Sequence, residues 1–241
     1  MNPQLYPLQV NPLTGEPFLR LKRHKNIIIT PPRTEDAQHL LGPLNDERVH
    51  VWLSTVPYPY LLEHAETWIA LIKGKTDAIL EQLESARDEQ EMVFTDGCPV
   101  RYLREIGEDG REEFIGDIAM IRCNLGELMV EEGIDYDGKR AYEAKNNELA
   151  VGDARIVWSI GNFLVASQHG RGIMTDAVES VLEWAKERMN ARRVVVAALA
   201  ENTASLRVFA KNGFRELRVV DGYRGAKSGD RTIVLLSNVM L

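Results

Sequence analysis

Cysteine is scarce in this chain: Cys98 and Cys123 are the only two among 241 residues. Two thiols build no disulfide framework, and these form no C-x-x-C pair. The five histidines are scattered singly, so no metal-ligand set is legible and no metal is expected. Missing too is any apolar run long enough to cross a bilayer, which removes the membrane as an expected partner. The first seventeen residues lack the basic start and apolar centre of a secretory signal, so the expected location is cytoplasmic. A basic excess is also missing. Lys and Arg number 29 against 36 Asp and Glu, for a net charge of −7. Such a field repels polyanions, so nucleic acid is not an expected partner, and it mildly attracts cations.

What is present is ordinary for a globular protein: 44% hydrophobic and 27% charged residues. The length suits one substantial domain. Pro3, Pro7, Pro12 and Pro17 punctuate the start at a spacing that blocks helix and central strand. Residues 1–24 are therefore read as an extended arm, lying on its own domain or on a neighbouring subunit in a homodimer. Residues 25–241 are read as a single domain. It opens on a strand at Ile27–Thr30, followed by a helix that Thr34 is expected to cap. A second helix begins near Leu61, and strands follow at about 100–106 and 113–122, joined by a turn at Gly107–Gly110.

Residues 124–153 break the regularity. They hold eight acids against three bases, net −5. This acidic insertion reads as a solvated excursion or as a cation-attracting rim beside a site. The last ninety residues alternate strand and helix: strand 155–165, helix 172–189, strand 193–198, helix 202–212, then two closing strands. The fold class is mixed α/β.

The richest segment runs from Leu164 to Thr175. An apolar strand enters a loop with two glycines, which opens a helix. The unpaired N–H groups of a first helical turn attract anions, and Gly170 and Gly172 let the backbone approach a ligand closely. Arg171 is placed to add a charge-assisted bond. A Walker loop needs Gly-Lys-Ser/Thr, which is absent. A dinucleotide fingerprint needs a third glycine where Thr175 stands.

The segment Ser159–Leu164 followed by His169-Gly170-Arg171-Gly172-Ile173-Met174 resembles the acetyl-CoA motif Gln/Arg-x-x-Gly-x-Gly/Ala of the GNAT superfamily of N-acetyltransferases. Asn202, Ser205, Phe209, Lys211, Gly213 and Phe214 resemble the family's second segment. Arg33–Ala37 and Phe114–Ile118 resemble the branch of RimJ/RimL-like ribosomal-protein alanine N-acetyltransferases. The resemblance covers about residues 25–237.

It implies a GNAT fold, a mostly antiparallel sheet splayed between its fourth and fifth strands. It also implies acetyl-CoA as co-substrate and acetyl transfer to a primary amine. Acceptors range over a small amine, amino sugar, polyamine or protein N-terminus. By the same resemblance, Leu164 and Val165 offer unpaired backbone groups to the pantetheine arm. His169, Gly170, Arg171, Gly172, Ile173, Met174 and Thr175 hold the pyrophosphate. Asn202 bonds the pantetheine as well as capping its helix. Phe209 and Lys211 lie along the CoA, although Phe209 serves equally as core.

The pattern departs from the family at four places. His169 replaces Gln or Arg, and Met174 replaces Gly or Ala. Phe209 stands where many relatives have a Tyr that protonates the thiolate, so Ser205, one turn earlier, becomes the candidate for that sulfur. Ser159 replaces a frequent Glu. Asp117 and Glu105 are then candidate bases, and Tyr223 a candidate polar lining residue. A CoA-binding domain without transferase activity is the alternative reading.

Overall fold

A computed structural model describes residues 2–224 and 229–240. Among these residues nine strands form one sheet. In chain order they are β1 (Gln9–Val10), β2 (Pro17–Arg20), β3 (Ile27–Thr30), β4 (Tyr102–Ile106), β5 (Glu112–Arg122), β6 (Val157–Leu164), β7 (Arg193–Leu199), β8 (Arg215–Arg224) and β9 (Asp230–Val239). Their spatial order is β1-β2-β3-β4-β5-β6-β7-β9-β8. Neighbours run antiparallel except β6 and β7. Six helices accompany them: α1 (Asp36–Asn45), α2 (Glu47–His50), α3 (Leu62–Ser85), α4 (Lys139–Glu148), α5 (Ile173–Arg188) and α6 (Thr203–Lys211).

Alternation along the strands divides the core. On one face Trp158, Ile160 and Leu164 of β6 and Val194 and Val196 of β7 meet Ile173, Val178 and Val181 of α5. On the other face two separate clusters form. Tyr102, Phe114 and Phe163 pack under α1 and α3, while Val157, Val195, Val220 and Leu235 pack under the insertion through Leu128. Between these clusters the floor of the sheet carries Ser159 and Gly161, and Gly161 is exposed with no neighbour near its missing side chain.

Three expectations change in detail. Thr34 does not cap α1. Asp36 does the local work instead: its carboxylate accepts from Arg33 N–H at 2.7 Å and pairs, fully buried, with Arg104. That pairing draws the first turn down onto β4. The N-terminal arm is not wholly extended. It holds a 3-10 turn at Pro3–Leu5, and β2 pairs with β3, so the arm lies on its own domain. The prolines confine these strands to the sheet's edge.

The acidic insertion is not simply solvated. Glu127 is 1% exposed. Asn146 of α4 brackets Val157, donating to its carbonyl at 2.8 Å and accepting from its N–H at 2.9 Å. Those two bonds satisfy the start of β6, where a side chain stands in for a neighbouring strand.

Both cysteines are free. Burial pushes the Cys123 thiol from 9.0 up to about 11. The raised value means that the folded thiol stays protonated after the unfolded one ionises. Its contribution to stability is therefore constant below pH 9 and is lost as pH rises from 9 to about 11. Denaturant titrations at pH 7, 9 and 11 are expected to show that loss, and a Cys123→Ser chain is expected to show less of it.

Candidate active site

Strands β6 and β7 pair only at Val157↔Arg193 and Trp158↔Val194. Beyond those positions they diverge, leaving a cleft in the sheet. Which backbone groups face it follows from the β5–β6 register. Cys123 N–H donates to the Val157 carbonyl, and Val165 N–H donates to the Ile115 carbonyl at 2.9 Å. Odd-numbered residues of β6 therefore turn toward β5, and Ile160, Asn162 and Leu164 turn toward the cleft. This corrects the expectation for Val165, whose N–H is taken. The Leu164 carbonyl is taken too: the His169 ring lies with Nε2 3.0 Å from it, and a carbonyl only accepts, so the ring donates. The Leu164 N–H and the Asn162 groups remain turned to the cleft.

Gly116 seats this edge. A Cβ there meets the Phe163 carbonyl at 2.4 Å and Leu164 Cα at 3.1 Å. Backbone cannot yield as a side-chain tip does. Gly116→Ala is expected to cost about 1–3 kcal/mol in denaturant unfolding and to weaken acetyl-CoA binding by displacing Leu164.

At the cleft's end the chain enters the two-glycine loop. Gly170 and Gly172 adopt φ of 78° and 80°, and Gly172 occupies the N-cap of α5. No atom lies within 4 Å of where a Gly170 Cβ would sit. Ile173 and Met174 are buried beneath the loop in the main core, so the Met174 thioether packs where a smaller residue is usual in relatives. Thr175 lends its carbonyl to Asn212 at the end of α6. Arg171 turns away from the loop. Its guanidinium bonds Glu105 at 2.9 Å and also Gln168. Arg171 holds the Glu105 carboxyl below its ordinary value, making it a poor base.

The loop is fastened from below by Asp176, which is wholly buried in the first turn of α5. It accepts from the N–H groups of Arg23 and His24 at 2.8 and 3.0 Å, and lies 2.9 Å from the His24 ring. The other ring nitrogen of His24 lies 3.0 Å from the Arg171 carbonyl. Burial pushes the Asp176 carboxyl up, but the bonds from His24 and Arg23 outweigh it, and its value lies below the ordinary one.

Across the cleft, Asn202 caps α6 by accepting from Ser205 N–H at 3.1 Å. Ser205 is half-buried. Phe209 is buried edge-on to Phe214, centroids 5.1 Å apart, so it is core. Lys211 lies on the outer side, lining an open depression of about 430 Å³ with Glu179, Glu183 and Lys186.

The candidate acid–base groups are engaged elsewhere. Asp117 is gripped by Arg101 through both oxygens, at 2.8 and 2.6 Å. Tyr223 donates to Glu127 at 3.0 Å, and burial together with the Glu127 charge drives its hydroxyl far above the ordinary value. Sequence reasoning missed Glu127, which no pattern separates from the seven other acids of its stretch. It also missed the His24–Asp176 fastening, whose partners lie far apart in the chain.

The family model for the acetyltransferase (GNAT) domain matches residues 26–215. The chain belongs to the GNAT acetyltransferase family. The membership makes it an acyltransferase, and the split between β6 and β7 is the splay expected between the family's fourth and fifth strands. A probable N-acetyltransferase of Bacillus subtilis, YjcK, is 37% identical over 57 residues, covering 24% of this chain and 32% of that protein. The aligned stretch thus spans about a third of that relative. Among solved structures, a GNAT-family acetyltransferase from Bacillus anthracis superposes with a TM-score of 0.61 at 13% identity, covering 92% of this chain and 98% of that one. RimL, a ribosomal L7/L12 alpha-N-protein acetyltransferase in complex with coenzyme A, gives 0.58 at 12% identity with the same two coverages. At such identities these two likenesses bear on the fold. No helix among the described residues is long and apolar enough to cross a membrane, and those residues hold no cluster suited to a metal.

Proposed function

We propose that this GNAT protein transfers the acetyl group of acetyl-CoA to a primary amine by direct attack, in the cytoplasm and without a metal. The observation that carries the reading is the cleft between β6 and β7 ending in a positive-φ glycine loop at the N-terminus of α5. An extended pantetheine arm fits a cleft lined by unpaired backbone groups, and a pyrophosphate fits first-turn N–H groups.

In this reading Asn162 bonds the arm, Leu164 meets its thioester end, and the backbone from Gly170 to Thr175 holds the pyrophosphate. Asn202 offers the free half of its amide to the pantetheine. Lys211 lies nearest the outer, nucleotide end. The nucleophile is a neutral amine. Its nitrogen bonds the thioester carbon, the C–S bond breaks, the CoA sulfur leaves as thiolate and takes a proton, and the nitrogen loses its extra proton. A backbone N–H at Leu164 stabilises the carbonyl oxygen as it gains charge. Phe209 has no proton to give, so Ser205 is the hydroxyl assigned to the sulfur. With Asp117 and Glu105 both held by arginines, the amine's proton passes to water.

The acceptor approaches over the sheet floor where Gly161 leaves it open beside the buried Ser159, on the face opposite α5. A thiol-release assay with acetyl-CoA tests the reading over a panel from spermidine through an amino sugar to an alanyl peptide. Turnover of at least one amine supports it. Tight CoA binding with no turnover of any amine overturns it in favour of a CoA-binding domain without transferase activity.

A further inference from the structure

Glu127 is a carboxylate buried inside the acidic insertion, and nothing in the preceding scheme uses it. Its Oε1 accepts from the Tyr223 hydroxyl at 3.0 Å and lies 3.1 Å from Lys139 Nζ. Its Oε2 lies 3.0 Å from the same ammonium but receives no well-aligned hydrogen bond. Tyr136 lies alongside the Tyr223 ring, centroids 6.5 Å apart, and its own hydroxyl accepts from Arg224 N–H. The Glu127 charge is thus held in place from two sides, by a cation and by a phenol.

The position of this group is fixed by the register. Ile233 of β9 stands opposite Leu199, the last residue of β7, and Tyr223 of β8 stands opposite Arg231, two residues further on. Tyr223 therefore lies past the end of β7. Because β6 and β7 run parallel, that is also the end where Leu164 closes β6. Tyr223 packs against the cluster that contains Val195 and Val220, on the face opposite α5 that also carries Ser159 and Gly161. It is only partly buried. The Tyr223 backbone thus lies past the end of β7 with its ring on the acceptor's face, and its hydroxyl reaches back over that face to Glu127.

Its direction follows from hydrogen-bond chemistry. A carboxylate has no proton to give, so Tyr223 spends its single O–H on Glu127. What remains on the phenol oxygen are lone pairs. A group that presents only lone pairs accepts from N–H and rejects other acceptors.

We propose that Tyr223 is a specificity-determining contact for the acceptor, receiving an N–H of the incoming amine, and that Glu127 is the positioning residue that aims it. This rests on the amine-transfer reading above and adds to it the residue that selects a hydrogen-bond donor. It also gives the insertion a role: the short turn at Gly126–Leu128 delivers Glu127, and the start of α4 delivers Lys139.

The test compares wild type, Tyr223→Phe, Glu127→Gln and the double variant, using the best amine of the panel. Tyr223→Phe removes one oxygen and is expected to raise KM for the amine about tenfold, leaving KM for acetyl-CoA unchanged. Glu127→Gln offers the phenol either an amide oxygen or an NH₂, so the phenol proton is no longer held in one direction, with a smaller rise expected. The double variant is expected to match Tyr223→Phe alone, since the two act as one unit. An amine KM within twofold of wild type for Tyr223→Phe overturns the proposal. Multiplying effects in the double variant overturn the link through Glu127. Should Glu127→Gln fail to fold, Tyr223→Phe decides alone. Wild type inactive on every amine sinks the amine-transfer reading and this inference together. An active wild type with an unaffected Tyr223→Phe sinks only this one.

Discussion

A Gly172→Asp chain is expected to fold normally and to lose affinity for acetyl-CoA by about 100-fold, or about 2.7 kcal/mol. The two halves of that expectation have separate causes. Gly172 sits at φ 80° as the N-cap of α5. Asp is among the few side chains that tolerate the left-handed region, and it is also a favoured N-cap, so the helix start survives. Space is available, because the nearest atom to a new Cβ is His24 Cε1 at 3.9 Å. The carboxylate, however, projects at the N–H groups assigned to the pyrophosphate. Like charges about 4 Å apart repel by roughly 4 kcal/mol near a protein surface. Gly172→Asn supplies the control, since it has the same shape and backbone tolerance without the charge. Calorimetry with acetyl-CoA is expected to find the Asn variant within tenfold of wild type. An Asp variant that binds equally well places the pyrophosphate elsewhere.

The second large effect concerns stability. Arg188, in the last turn of α5, is 1% exposed and has no carboxylate partner among the described residues. Its guanidinium donates instead to the carbonyls of Gln4, Tyr6 and Val93, and lies over the Trp184 ring. Burial lowers its pKa. Two of those three carbonyls belong to the N-terminal arm. Removing residues 1–7 therefore leaves a buried cation short of acceptors. The expected cost is about 3–5 kcal/mol. For a chain of this size that lowers Tm by roughly 10 °C or more. Arg188→Met in the shortened chain removes the stranded charge and is expected to recover part of the loss. Thermal melts of the two shortened chains check this, and equal Tm values overturn the assignment.

The contrast between these sites explains what the sequence made legible. The glycine loop was readable because its signal is local. Strand, glycines and helix start follow one another within a dozen residues, and the physics of a helix N-terminus needs nothing further. The same holds for Asn202, whose cap bond reaches only to Ser205. The apolar alternation of β6 and β7 gave the mixed α/β class for a similar reason. Groups whose state depends on a distant partner were not readable. Asp117 looked available as a base until Arg101 closed on it, and Arg171 looked available to a ligand until Glu105 and Gln168 claimed it. Proline spacing correctly kept the arm out of the sheet's centre, but it carried no information about Arg188. Val165 shows the limit most finely, because a strand residue's N–H points left or right according to register, which appears only when the partner strand is in place.

The separation of β6 from β7 has a final consequence. A sheet normally closes every interior seam with hydrogen bonds, and this one leaves a seam open from Ser159 onward. Among the described residues, two pairs, Val157↔Arg193 and Trp158↔Val194, are the only rungs between its halves. Whatever lies in that seam completes the sheet's bonding as a borrowed strand does. In the reading proposed above the reactant is thus also a structural member, which each catalytic cycle would insert and withdraw. Saturation at a hundred times Kd is expected to raise unfolding free energy by about 2.7 kcal/mol. Amide exchange in the facing residues of β6 is expected to slow with it.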